Sequence, residues 1–270
     1  MTTVSSSSDS DESYLFTLRW RPTDNLSTYA RAASAYRPGG PQFSPNPQVP
    51  ASFGPDTVWN YEIGAKGQWL DGHLNANIAA YHIDWNNIQL NALVGGLTVT
   101  GNGGKAESNG AEFDAQFEPI PHLVFGATAA YVKTRMKSVS SDSTAGAVVG
   151  DSLPYTPKWA GSLTGDYSFP LSNGFTPGFG ASWVYQGSRP SSFSDDQLNT
   201  KVTIPSYNTF GLRAHLDWKN YSLLLHADNV TNEHAYQTIV FGRIFPGQPF
   251  NPTAVPIPPL TVGLTLSAHF

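Results

Sequence analysis

The chain has 270 residues and no cysteine, so neither a disulfide framework nor a thiolate metal site can hold it together. Aromatic residues reach 13% with seven tryptophans, whereas charged residues also reach only 13%, about half the usual share of a soluble domain. A formal net charge of -5 with no basic cluster inside it argues against nucleic acid as a partner.

No apolar run approaches the roughly 18 residues that a membrane helix needs, so only strands closed into a barrel could cross a bilayer. The start, Met1 to Glu12, is rich in Ser and Asp and lacks the basic and apolar regions of a secretory signal. Residues 1–13 therefore read as a disordered polar segment and 14–270 as one β unit. Such a unit needs export, so the sequence reads as a fragment or a processed form.

In chain order, Tyr14, Phe16, Leu18 and Trp20 alternate with Leu15, Thr17 and Arg19, and Arg21-Pro22-Thr23-Asp24-Asn25 turns the chain. A return strand runs from Leu26 to about Tyr36, followed by a proline-rich loop to Pro55 that is too long for a hairpin turn. Trp59, Tyr61, Ile63, Ala65 and Trp69 oppose Asn60, Glu62, Lys66 and Gln68 in a third strand, and Asp71-Gly72 signals a tight turn. The fourth strand, His73 to about Gln89, loses its alternation near His82 to Trp85, which predicts a bulge.

In the fifth strand Ala111, Phe113, Ala115 and Phe117 face away from Glu112, Asp114, Gln116 and Glu118. Carboxylates cannot point into lipid, so that face must be wet. Leu123 to Tyr131 forms the sixth strand, up to a serine-rich loop from Ser138 to Asp151; Trp159 to Phe169 returns, and Ser172-Asn173-Gly174 turns. Phe175 to Tyr185 climbs to a polar loop from Gly187 to Thr203, and Phe210 to Trp218 and Tyr221 to Ala227 form the next pair around Lys219-Asn220. After a long loop from Asn232 to Pro258, the last strand alternates Leu260, Val262, Leu264, Leu266, Ala268 and Phe270 against Thr261, Gly263, Thr265, Ser267 and His269.

The fold class is all-β, an antiparallel up-and-down transmembrane β-barrel wall of about eleven strands. Short turns and long loops alternate, which is the outer-membrane pattern with the long loops outside the cell. Two other readings remain open: a small autonomous barrel of 10 or 12 strands acting as porin or adhesin, and a barrel hydrolase built on His215 and Asp217, which share a face.

Several segments resemble the C-terminal barrel region of TonB-dependent outer-membrane receptors: Tyr36-Arg37-Pro38-Gly39-Gly40, Trp59-Asn60-Tyr61-Glu62-Ile63-Gly64-Ala65-Lys66, Leu153-Pro154-Tyr155-Thr156-Pro157-Lys158-Trp159, Ala227-Asp228-Asn229-Val230-Thr231-Asn232-Glu233 and the terminal Phe270. The resemblance implies roughly half of a 22-stranded barrel, with the plug and the N-terminal barrel half absent. It implies uptake of a scarce nutrient, a small molecule or metal chelate such as a ferric siderophore or cobalamin. The partners it implies are outer-membrane lipid, the TonB complex acting through the missing plug, and the barrel-assembly machinery. By position in the outer loops Arg37, Tyr155, Arg189 and Arg243 become ligand candidates, arginine suiting anionic ligands through its fork of donors. Leu264, Leu266 and Phe270 become the assembly signal.

No enzyme, cofactor or resident metal is expected. The histidines at 73, 82, 122, 215, 226, 234 and 269 lack a zinc-protease spacing and read as lumen-facing or turn residues. Gly101-Asn102-Gly103-Gly104-Lys105 has the wrong glycine spacing for a phosphate loop, with Ala106 where Ser or Thr should bind magnesium, and reads as a loop tip.

Overall fold

The computed structural model describes residues 10–42, 49–94, 97–141, 143, 145–196, 199–242, 249 and 251–269. Eleven strands form one antiparallel sheet in chain order. They are β1 Leu15–Thr23, β2 Leu26–Arg37, β3 Asp56–Trp69, β4 Leu74–Asn86, β5 Gly104–Ile120, β6 Leu123–Val139, β7 Trp159–Ser168, β8 Phe175–Gln186, β9 Tyr207–Trp218, β10 Tyr221–Asp228 and β11 Thr261–Ala268.

Residues paired across neighbouring strands share a face, so the register sorts the whole sheet into rows. Leu18, Ala30, Ile63, Ala80, Ala111, Tyr131 and Trp159 form one row, and Phe125, Gly165, Ala181, Leu212, Ala227 and Val262 another. These rows hold almost nothing polar, yet Leu18 is 74% and Val262 65% exposed. A continuous apolar face of that kind in water would be an aggregation surface; against lipid it is solvated. The intervening rows are polar, for example Lys66, Asn77, Asp114, Thr128, Ser162 and Thr209. There Tyr29 donates to Glu62 at 2.7 Å and Asn77 to Asp114 at 2.7 Å.

Turns at 24–25, 70–73, 121–122, 169–174 and 219–220 lie at one end of the sheet, and the long loops at the other. The tight ends need left-handed backbone: Leu70 and Asp71 sit at φ 54, Gly72 at φ 92, His122 at φ 69 and Lys219 at φ 51. Four loops carry their own two-stranded ribbons: Gly40–Pro41 with Ser52–Phe53, Gln89–Val94 with Leu97–Asn102, Arg189–Pro190 with Thr203–Ile204, and Tyr236–Gly242 with Asn251–Pro256. The buried apolar cluster lies in this loop layer, where Ile88, Ala106, Met136, Ala145, Ala147 and Phe193 pack together.

Three sequence expectations change. No bulge interrupts β4, which stays in register with both neighbours through Asn86. Its alternation appears lost because the strand leaves the hydrocarbon zone: His82 and Asp84 take the outward positions while Ile83 and Trp85 turn inward. For the same reason β5 starts at Gly104 rather than near Ala111. Gly104 and Lys105 therefore open a sheet strand, not a loop tip.

The face assignment makes a contrast measurable by urea titration in lipid vesicles, with the chain assembled together with a complementary wall. Leu212→Arg, on the lipid face near mid-wall, should destabilise the chain by about 2–4 kcal/mol. Thr209→Arg on the lumen face should cost about 0.5 kcal/mol or less. Equal costs would mean that the faces are assigned wrongly.

Candidate functional site

The long loops stack into one layer at the outer end of the wall, held by buried polar nodes. At the first, Asp56 is 2% exposed and its Oδ2 accepts from Arg37 Nη2 at 2.5 Å and from the Gln89 N–H at 3.0 Å. Gln89 Nε2 then donates to the carbonyls of Pro38 and Gly54, each at 3.0 Å. The Arg37 guanidinium also lies over Trp85, 5.9 Å from the ring centroid, and its side chain keeps about half of its surface exposed. Proline and glycine prevent the 38–55 loop from continuing a sheet ladder, so side-chain donors tie it to the next loop.

The second node joins the 140–158 and 187–206 loops. Asp151, buried, accepts from the Ser194 N–H at 2.8 Å, the Val148 N–H at 3.1 Å and Lys201 Nζ at 3.0 Å, and from the Ser194 hydroxyl. Burial by itself would raise the Asp151 carboxyl; the Ser194 hydroxyl and N–H, the Lys201 ammonium and the Val148 N–H outweigh it and hold the group below the usual carboxylate range.

Arg189 forms the third node. It is 5% exposed, donates to the carbonyls of Gly187, Tyr236 and Gln237 at 3.3, 3.1 and 2.7 Å, and lies over the Tyr207 ring at 5.8 Å. Its head group thus clamps the Tyr236–Gly242 ribbon onto the 187–206 loop. Tyr155, held at φ 58 with its N–H donating to Pro190 O at 2.8 Å, leaves its ring partly exposed. Burial, and then the charge of Asp196, push its phenol up. Beside it a cavity of about 320 Å³ is lined by Thr156, Lys158, Trp159, Tyr185, Arg189 and Thr203.

Of the residues singled out from sequence, Tyr155 and Arg189 meet through Pro190, whereas Arg37 belongs to the separate Asp56 node. Arg243 and Phe270 lie outside the described residues. Leu264 and Leu266 stand on the lipid face of β11, 68% and 64% exposed. Asp151, Lys201 and Lys158 went unnoticed as site residues, because nothing in sequence spacing says which loops fold together.

The lumen face carries its own polar network. Arg213 Nε donates to Asp166 Oδ1 at 2.6 Å, with a second contact from Nη2 to Oδ2. His215 Nε2 lies 3.6 Å from Asp217 Oδ2, and among the described residues no serine hydroxyl is hydrogen-bonded to His215. Among the described residues no group of three or more metal-ligating side chains converges.

A wall of alternating strands, apolar outside and polar inside, with packed loops at one end, defines a segment of an outer-membrane β-barrel. The family model described as TonB dependent receptor-like, beta-barrel, matches residues 2–230, and the chain belongs to that family, one of transport receptors of the outer membrane. The metal-pseudopaline receptor of Pseudomonas aeruginosa strain UCBPP-PA14 is 28% identical over 253 residues, covering 92% of this chain and 32% of the relative. The ferric-pyoverdine M114 receptor of Pseudomonas sp. strain M114 is 27% identical over 234 residues, covering 84% of this chain and 27% of its own length. Among solved structures, the ferric yersiniabactin uptake receptor of Yersinia pestis superposes with a TM-score of 0.75 at 18% identity, over 95% of this chain and 37% of that one. The chain therefore spans about a third of the length of the relatives it matches.

The Asp151 node has a pH signature. Its carboxyl binds a proton more weakly folded than unfolded, so the node is at full strength above roughly pH 4 and weakens as pH falls further. Asp151→Ala should lower the local opening free energy of residues 145–156 and 191–202 by about 1–3 kcal/mol at neutral pH. Hydrogen exchange across these loops reads this directly; unchanged protection would mean that the node does not join them.

Proposed function

We propose that the chain forms the C-terminal part of the barrel wall, and part of the outer mouth, of a receptor that imports a scarce metal chelate across the Gram-negative outer membrane. The ligand class is that of ferric siderophores, cobalamin or similar complexes, and the energy comes from the TonB system through a plug inside the barrel. The observation that carries this reading is the eleven-stranded sheet itself, lipid-compatible on one face and polar on the other, in a chain of this family.

A small self-sufficient porin or adhesin fits the sheet less well. β1 and β11 run in the same direction, from the loop end to the turn end, so joining them would need a parallel seam, whereas single-chain bacterial barrels close with even strand numbers. The remaining wall and the plug are assigned to sequence corresponding to the other two thirds of the relatives. Within the mouth, Tyr155 and Lys158 present an amphipathic ring and a cation to the ligand, and Arg37 offers a half-exposed guanidinium over Trp85. Arg189 acts on ligand by fixing the loops around the cavity, and Arg243 is kept as a candidate by position. Leu264, Leu266 and Phe270 serve the barrel-assembly machinery.

Uptake of a radiolabelled ferric chelate tests the transport role. Cells making the chain together with a plug and the complementary wall should take up the label only with an intact TonB system, and Tyr155→Ala with Lys158→Gln should weaken binding about tenfold. Ligand-driven uptake by the chain alone would overturn the proposal. Separately, deleting Phe270 should reduce the amount of protein inserted in the outer membrane, as read by a heat-dependent shift in gel migration; normal insertion would reduce the terminal residue to a lipid anchor.

A further inference from the structure

The lumen face of β1 to β3 gathers cations at a depth where the opposite face meets hydrocarbon. Arg31 on β2 stands between Ala30 and Ala32, and its cross-strand neighbours Thr17 and Glu62 adjoin the lipid-facing Leu18 and Ile63. Arg19 and Lys66 follow on the same inner face, closer to the turn end. A cation at that depth must look into a wet cavity, and ionisable groups so placed mark the paths of polar substrates.

The three cations line one depression of about 540 Å³, together with Ser27, Tyr29 and Glu62. Its floor is low at Gly64, because the Tyr29 phenol lies flat in the space that a Cβ would take, 2.5 Å from the ideal Cβ position. Among the described residues Glu62 is the one carboxylate lining it, and it is already engaged: the Tyr29 hydroxyl donates to it at 2.7 Å and Asn60 Nδ2 at 3.4 Å. Arg19 Nε donates to Ser27 Oγ at 2.7 Å. All three cations are exposed to the lumen, and among the described residues none of them makes an ion pair.

Farther round the inner face the charge is balanced or negative. Asp166 is held by Arg213. Asp114 shares a row with Lys66 but lies two strands away, roughly 10 Å, and accepts from the intervening Asn77 at 2.7 Å. In the other direction, from Arg31 toward the mouth, the inner face of β2 presents only Ala33 and Ala35 before Arg37. A low track on one strand thus joins the half-exposed guanidinium of the mouth to the depression below it.

We propose that this depression is a second binding site, below the mouth, for the carboxylate groups of an anionic metal chelate in transit. The site rests on the reading of the chain as part of a transport receptor, and it gives the ligand a charge class. Arg31 offers its fork of donors to one carboxylate, Arg19 keeps its two terminal nitrogens for another, and Lys66 adds a point charge. The low-dielectric wall behind them focuses their field and concentrates anions at this point of the lumen. Glu112 and Asp114 repel the same ligand from β5, so its path follows β1 to β3.

The test uses the chain assembled with a complementary wall as a pore in a planar bilayer, with the gel-migration shift reporting insertion independently. The probes are tricarballylate, its neutral triamide and inorganic phosphate. Tricarballylate should reduce the current, less so as salt rises, and Arg31→Gln with Lys66→Gln should raise the half-blocking concentration about tenfold. Lys133→Gln on the outer face should leave the block unchanged. Equal block by the triamide, or undiminished block in an inserted double-variant pore, would overturn the site; equal block by inorganic phosphate would overturn the carboxylate class. A double variant that keeps the block but loosens an added plug in urea would assign the cations to an acidic plug face instead. Uptake separates the two readings: no block in a receptor that does take up a ferric chelate sinks this site alone, whereas block in a receptor that takes up none sinks the transport role.

Discussion

Inside hydrocarbon every backbone N–H and C=O must find a protein partner, because no water is there to supply one. The sheet meets that demand by pairing each strand with the next in chain order, and everything else about the molecule adjusts to the pairing. With backbone geometry fixed, the strict two-residue period leaves one face for lipid and one for the lumen, and residue choice follows row by row. This explains why the large apolar side chains of this protein are among its most exposed. It also explains why the wall has almost no buried core, since one sheet facing two solvents has no interior to fill.

The lumen face shows how a polar wall stays ordered without burial. Asp166 on β7 and Arg213 on β9 are not adjacent strands' residues; they reach each other across β8 because the residue between them is Gly180. A Cβ at Gly180 would collide with Asp166 Oδ1 and sit 2.6 Å from Arg213 Nε. Tyr29 uses the same device, lying over Gly64 on β3 while it donates to Glu62 at 2.7 Å. Glycine in a strand normally weakens it; here it lets a long side chain lie flat across the neighbouring strand and reach a partner.

Much of this was legible from sequence, and the boundary of legibility is physical. Alternation identified the strands wherever one face meets lipid, as in β7 to β11, because the apolar and polar rows there differ sharply. It faded in β4, β5 and β6 above the membrane, where both faces meet water and the sign of the pattern inverts: Lys133 and Arg135 point out while Thr134 and Met136 point in. The same inversion hid the outward cations Lys133, Arg135 and Lys137, which occupy alternate positions of one strand. Arg37, Tyr155 and Arg189 were singled out by their loop positions alone, and the burial of Arg189 and the convergence of Asp151, Ser194 and Lys201 depend on which loops pack together. No period encodes that packing. The loop core of Ile88, Met136 and Phe193 is drawn from three distant segments, each too short to show a pattern by itself.

The parity of the sheet restricts what can complete it. Eleven strands beginning and ending in the same direction leave two edges with unpaired backbone groups, which hydrocarbon does not tolerate. A second copy related by an axis along the membrane normal would set β11 of one copy beside β1 of the other, both running from loop end to turn end, and would create two parallel seams. An axis lying in the membrane plane would give antiparallel edges but would turn one copy's loops, with their Asp151 and Arg189 nodes, to the opposite side of the bilayer. Neither arrangement keeps both the antiparallel ladder and a single orientation. Both are kept only where β1 and β11 each meet a neighbour that runs from turn end to loop end.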